Sequence, residues 1–155
     1  MTKINATLLT LLLVLTFIPT AKADDIQKPI HELFDAMREH DADKLIAQFT
    51  NGAILHRAQA DGSVNTTDIT NFANSIATSS KFLDEQLLSI EVNHNGNLAS
   101  VWTPFVFYVD KKLSHCGVNS FQLVKTSEGW KINYLIDNSF QGDCHDFIKQ
   151  HKEDA

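Results

Sequence analysis

The sequence predicts an α+β domain in which a curved antiparallel sheet wraps three N-terminal helices. Three observations predict it. Apolar residues recur at helical spacing through the first part of the chain. After about residue 82 the pattern changes to β-branched and aromatic runs. Tight-turn signals separate those runs, which pairs neighbours antiparallel.

The chain opens with Lys3, an uncharged Leu-rich run from Ala6 to Ile18, a break at Pro19, and the small residues of Ala21-Lys22-Ala23. That order is a cleavable secretory signal over residues 1–23, with Asp24 as the new N-terminus. The run is shorter than the roughly 20 residues of a membrane span. Residues 24–155 then form one domain.

Within it, Ile26 to His40 carries Ile30, Leu33, Phe34 and Met37 on one stripe, with Pro29 near the start. A shorter helix runs from Asp41, its cap, to Phe49, stopped by Asn51-Gly52. Ala53 to Ala60 reads as a strand and Asp61-Gly62 as a turn. Thr66 or Thr67 caps a third helix to about Thr78, with Ile69, Phe72, Ala73 and Ile76 inward. Phe82 to Asn93 alternates as a strand, and Asn95-Gly96-Asn97 makes a hairpin turn. Leu98 to Asp110, Leu113 to Lys125 and Trp130 to Asn138 are strands joined at Lys111-Lys112 and Ser127-Glu128-Gly129. Gln141 to Ala155 is polar, with a short helix.

The chain holds 13 basic and 19 acidic residues, a formal charge of −6, and loss of Lys3 and Lys22 makes the mature part more acidic. An acidic surface excludes nucleic acid and anionic membrane as partners after signal cleavage. Cys116 and Cys144 are the two cysteines. In an oxidising compartment they read as a disulfide closing a loop of about 28 residues, with free thiols as the alternative. His115-Cys116 and Cys144-His145 also form two Cys/His pairs. Neighbouring strand residues rarely give two ligands to one zinc ion, however, so no metal is expected. No phosphate-binding Gly loop, Gly-x-Ser-x-Gly turn or Cys-x-x-Cys occurs, and no cofactor is expected.

The element order resembles the nuclear transport factor 2-like superfamily. The closest match runs through Ala99-Ser100-Val101-Trp102, Phe105 to Tyr108, His115-Cys116-Gly117, Phe121-Gln122-Leu123-Val124-Lys125 and Gly129-Trp130-Lys131-Ile132. Those segments are similar to exported bacterial members described as SnoaL-like or lumazine-binding-like. The resemblance covers roughly residues 26–144. It implies a cone-like fold with one apolar pocket between sheet and helices. Members include isomerases, dehydratases, cyclases and non-catalytic binders, so fold does not give activity.

In such a pocket a buried Asp or His acts as acid or base. Strand alternation puts His115 on one face with Phe121 and Leu123, and Asp137 ends the last strand. These two are the catalytic candidates. Asp137 would join the face of Trp130, Ile132 and Tyr134 only through a bulge. His56, Trp102, Asn119, Phe121 and Tyr134 are candidates for the pocket lining. Three readings follow. The first is a binder of a small apolar molecule. The second is a cofactor-independent isomerase, dehydratase or cyclase using His115 or Asp137. The third is an interaction protein, a homodimer through an outer sheet face exposing Val106 and Tyr108.

Overall fold

The computed structural model describes residues 23–153, with eleven elements in the order ααββαβββββα. The signal segment expected at residues 1–23 lies outside the described residues but for Ala23. The first helix, α1 (Ala23–Glu39), buries Ile26, Ile30, Leu33, Phe34 and Met37 along one stripe. It starts earlier than the sequence pattern gave, so Pro29 sits inside it rather than near its start. His40 ends α1 in the left-handed region (φ 57°). There the Asp41 amide reaches the Ala36 carbonyl and the His40 amide reaches Met37, a Schellman closure. Asp41 then caps α2 (Ala42–Ile46) by accepting from the Lys44 amide.

The predicted first strand is longer. β1 (Phe49–Ala58) begins where the second helix was expected to end and runs through Gly52. The Asp61-Gly62 turn leads into an unpredicted strand, β2 (Val64–Thr67), antiparallel to β1. Thr66 and Thr67 therefore belong to a strand, and Asp68 caps α3 (Ile69–Ala77). The single strand expected over Phe82 to Asn93 is two, β3 (Leu83–Leu87) and β4 (Glu91–Asn95), both pairing with β5 (Leu98–Val109). The turn to β6 (Lys112–Thr126) is Asp110-Lys111, both at positive φ. The last strand is β7 (Gly129–Ser139), and α4 (Cys144–Glu153) closes the described chain.

The seven strands form one curved, unclosed sheet in the order β2-β1-β7-β6-β5-β3, with β4 also on β5. All pairs are antiparallel except β1 with β7, which brings the helical half against the end of the meander. The three N-terminal helices lie on the concave face. Their stripe packs on Val101, Phe121, Leu123, Trp130, Ile132 and Leu135.

β7 changes phase midway. Leu123 faces Ile132 and Gln122 faces Tyr134, which leaves Asn133 as the extra residue of a bulge. β1 shifts register opposite the same point, and Asn133 Nδ2 donates to Thr50 Oγ1. Trp130 and Ile132 on one side of the bulge, and Leu135 and Asp137 on the other, thus share the concave face.

Around Val106 and Tyr108 the outer face of β5 and β6 is not the open surface expected. α4 lies across it, and Val106, only 2% exposed, packs with Phe147 and Cys116. Tyr108 and Leu113 are partly buried in the same cluster. Cys116 and Cys144 are joined by a disulfide, their Cα atoms 5.7 Å apart. The bond ties the first residue of α4 to the middle of β6 and closes a loop with a sequence separation of 28. The chain-entropy relation assigns such a loop roughly 3.5 kcal/mol. The Cys116→Ala/Cys144→Ala double variant should lose about 2–4 kcal/mol in urea unfolding. A loss under about 0.5 kcal/mol would mean that α4 docks without its covalent tie.

Candidate functional site

A cavity of about 510 Å³ opens between the concave face and the helices. Its apolar wall comes from Leu33, Phe34 and Met37 of α1 and from Phe72 and Ile76 of α3. Leu55, Leu135 and Phe107 continue that wall on the sheet. The polar wall is built by two rows that cross the strands. In one, Arg57 on β1 stands beside Asp137 on β7, Asp137 beside Asn119 on β6, and Asn119 beside Thr103 on β5. In the other, His115 on β6 stands beside Phe107 on β5, and Phe107 beside Glu85 on β3.

Arg57 holds Asp137 with two parallel hydrogen bonds, Nε to Oδ1 and Nη2 to Oδ2, each 2.7 Å. The carboxylate is largely sheltered, 11% exposed, whereas the Arg57 side chain is 52% exposed. The hydrogen bond that the guanidinium donates to Asp137 raises it above its ordinary range against the opposing effect of burial. A fork of this kind fixes both planes as well as both charges.

Asn119 is buried, and its Nδ2 donates to Glu85 Oε1 at 2.7 Å and to Thr103 Oγ1 at 3.3 Å. Glu85 is half-buried, and it borders both the cavity and a groove lined by His31 and Arg38. Burial pushes its carboxyl up to about 8, and the nearby charge of Asp137 adds to this; the Asn119 bond and Arg57 act the other way. Glu85 therefore carries its proton at neutral pH. Its backbone carbonyl accepts from Arg38 Nη1 at 3.3 Å, which fastens β3 to α1.

The His115 ring packs between Phe107, at 4.9 Å between centroids, and the edge of Phe105, at 5.9 Å. Its Nδ1 is 3.2 Å from the Ser114 hydroxyl. Burial lowers its pKa from the ordinary imidazole value, and Arg57 contributes to this while Asp137 opposes it. At neutral pH the cavity thus presents a neutral imidazole and a neutral carboxyl on one wall, with a closed ion pair beside them. Gly117, between His115 and Asn119, has no room for a side chain, since a Cβ there would lie 2.0 Å from the Asn138 carbonyl oxygen.

Of the residues singled out in the sequence, His115, Asp137, Asn119 and His56 border this cavity. His56 does so differently from the others. Its neighbours Leu55 and Arg57 take the concave side, and its Nδ1 lies 3.1 Å from the Tyr134 hydroxyl. Tyr134 is not a lining residue, because the bulge at Asn133 turns it to the opposite face from Leu135. Trp102 is outside the cavity as well. It stands 48% exposed on the outer face, beside Glu91, Asn93, Ser100, Ser120 and Gln122. Phe121 faces inward as alternation requires, but it is fully buried in the core against Phe34, with ring centroids 6.4 Å apart.

The disulfide takes both thiolates out of any Cys/His metal set. Among the described residues no three His, Cys, Asp or Glu side chains are grouped to hold a metal ion. Glu85 and Arg57 are the site residues that sequence reasoning missed. Glu85 shares its strand face with Leu83 and Leu87, and a carboxylate between two leucines at alternate positions is the signal that could have found it.

No protein-family model and no curated protein matches the chain. Solved structures do. A protein of unknown function from Mycobacterium tuberculosis superposes with a TM-score of 0.65 at 14% identity, covering 84% of this chain and 85% of that one. A provisionally named dehydratase of the NTF2-like family from Streptomyces avermitilis gives 0.65 at 14%, covering 77% and 96%. A provisionally named scytalone dehydratase from Novosphingobium aromaticivorans gives 0.64 at 12%, covering 76% and 83%. The chain is thus an α+β domain in which a curved, unclosed sheet packs on its N-terminal helices. Its fold is the nuclear transport factor 2-like fold.

The protonated Glu85 gives a signed prediction. Below about pH 4.5 folded and unfolded chains both hold this proton. Between there and about 8 only the folded chain does, so rising pH favours unfolding through Glu85, and its effect ends above 8. Glu85→Gln keeps the shape and the acceptor for Asn119 but removes that slope. The variant should gain stability relative to the parent from pH 4.5 to 8, by on the order of a few kcal/mol in urea unfolding. Parallel pH profiles would show a carboxylate that titrates as if exposed.

Proposed function

We propose that the protein is an exported small-molecule-binding domain whose cavity seats a small, mostly apolar molecule. The observation that carries this reading is the cavity itself. Five side chains from α1 and α3 give it an apolar wall, while the charges on its other wall are closed on each other. Asp137, the best carboxylate base by sequence, has both oxygens occupied by Arg57. A carboxylate so engaged serves orientation better than proton abstraction. Export is supported by the Leu-rich leader pattern and by the disulfide, since such bonds persist in oxidising compartments. A protein recovered from the periplasm with Asp24 as its first residue is the expected result of N-terminal sequencing; an intact Met1 would end the export proposal.

A second reading, a cofactor-independent isomerase, dehydratase or cyclase, is favoured by one observation. His115 is a half-buried, neutral imidazole on the cavity wall, suited to take a proton. Two of the similar structures carry dehydratase names. With a cavity ligand in hand, His115→Ala and Asp137→Ala separate the two. Affinity that survives while turnover is lost would move the assignment to the enzyme.

The binding reading predicts that N-phenyl-1-naphthylamine, a neutral apolar fluorophore, binds one site per chain. Thr67→Trp, at the cavity border on an exposed strand, should weaken that binding by about tenfold by filling space. Unchanged affinity in the variant, or no binding by the parent, would remove the cavity as the site.

A further inference from the structure

We propose that Glu85 is the residue that recognises the ligand of this cavity, and that the ligand is an uncharged molecule presenting a carbonyl oxygen to it. The inference rests on the small-molecule reading above and adds the chemistry of the ligand's polar end.

The geometry starts from Asn119. Its amide is buried, and its Nδ2 bridges Thr103 Oγ1 and Glu85 Oε1. One oxygen of Glu85 is thereby fixed. Among the described residues no hydrogen bond reaches the other, Oε2, and the side chain lines the cavity. A fixed carboxyl with one free oxygen is a directed group awaiting a partner.

The surrounding charges decide which partner. From β1 and β7, Arg57 and Asp137 are committed to each other. From β6, His115 is held neutral by burial. From α1, Arg38 spends its side-chain contacts on Asp35 and Asp84 and touches Glu85 only at the backbone carbonyl. His31, also on α1, shares a second groove with Glu85, and no hydrogen bond joins the two among the described residues. On β3 itself, Asp84 is taken by Arg38 and Gln86. Arg38, the nearest cation from the helices, thus leaves the Glu85 carboxyl unpaired, and burial keeps its proton to about pH 8. A protonated carboxyl donates, so the matching ligand atom is an acceptor without a proton of its own. A ligand carboxylate would meet the charge of Asp137 with Arg57 already paired. The rings of Phe34, Phe72, Phe107 and His115 around the same space suit a flat body behind that oxygen.

Three probes on one scaffold test this by displacing N-phenyl-1-naphthylamine: 2-acetonaphthone, 2-naphthoate and 2-naphthylmethylammonium. At pH 6.5 the ketone should displace the dye at the lowest concentration. Its affinity should fall about tenfold between pH 6.5 and 9.5, as the Glu85 donor is lost. Glu85→Gln, whose amide accepts from Asn119 and donates into the cavity, should bind the ketone within about threefold of the parent, with no pH dependence. Glu85→Leu should bind the ketone about tenfold more weakly relative to its own dye affinity, at every pH. Tighter binding of either charged probe, a flat parent profile, or a Glu85→Gln profile that falls like the parent's would overturn the assignment and leave the cavity reading standing. Failure of the folded parent to bind the dye at all would remove that reading, and this inference with it.

Discussion

The bulge at Asn133 is the constraint on which the rest of the concave face depends. A regular β7 would put Trp130, Ile132, Tyr134 and Ile136 on one side and Leu135 and Asp137 on the other. One inserted residue reverses that order halfway. The first half of the strand then serves the helix-packed core through Trp130 and Ile132. The second half turns Leu135 and Asp137 to the cavity, where Arg57 is waiting on the neighbouring strand. The matching irregularity in β1 lets the parallel pair continue past the bulge. Core and cavity are two ends of one sheet face, and a change of phase between them gives each the residues it needs.

The polar wall shows how a small domain tolerates ionisable groups inside. Each is handled differently. Asp137 keeps its charge because a guanidinium neutralises it through two short bonds. Glu85 gives up its charge because burial and Asp137 both act against ionisation. His115 remains neutral between aromatic rings. Removing Arg57 would leave the sheltered Asp137 charge uncompensated, which is far costlier than the pair's own net contribution. Asn119 is the joint between these groups, adjacent to Asp137 in register and bonded to Glu85 and Thr103.

Much of the architecture was legible in the sequence because periodicity and turn chemistry are local. The stripe of α1, the Asp41 cap, the Asn95-Gly96 turn and the three long strands all follow from residues close together in the chain. The parallel contact of β1 with β7 is not local, and no short-range signal announces it. β2 was missed because Val64–Thr67 is exposed throughout and carries no alternation. Within the site, His115 and Asn119 were legible because their strand alternates cleanly to Phe121. Trp102 was misassigned because aromatic content says nothing about which face a strand residue takes. Tyr134 was misassigned because the bulge inverts its side. Glu85 escaped notice because a carboxylate in a short strand looks like a solvated one until the neighbouring layers are placed around it.

The link between Cys116 and Cys144 also bears on how the protein meets peptidases. It anchors the amino-terminal residue of α4, so fraying of that helix has to begin at its far end. Trimming from the carboxyl side would remove His151 first and would slow at Phe147, whose ring still packs on Phe140 and on the Val106 cluster. The covalent knot at the root then keeps the shortened remnant seated on the back of β6, the strand whose opposite side carries His115. Wear at the tail is thereby kept apart from the ligand chamber.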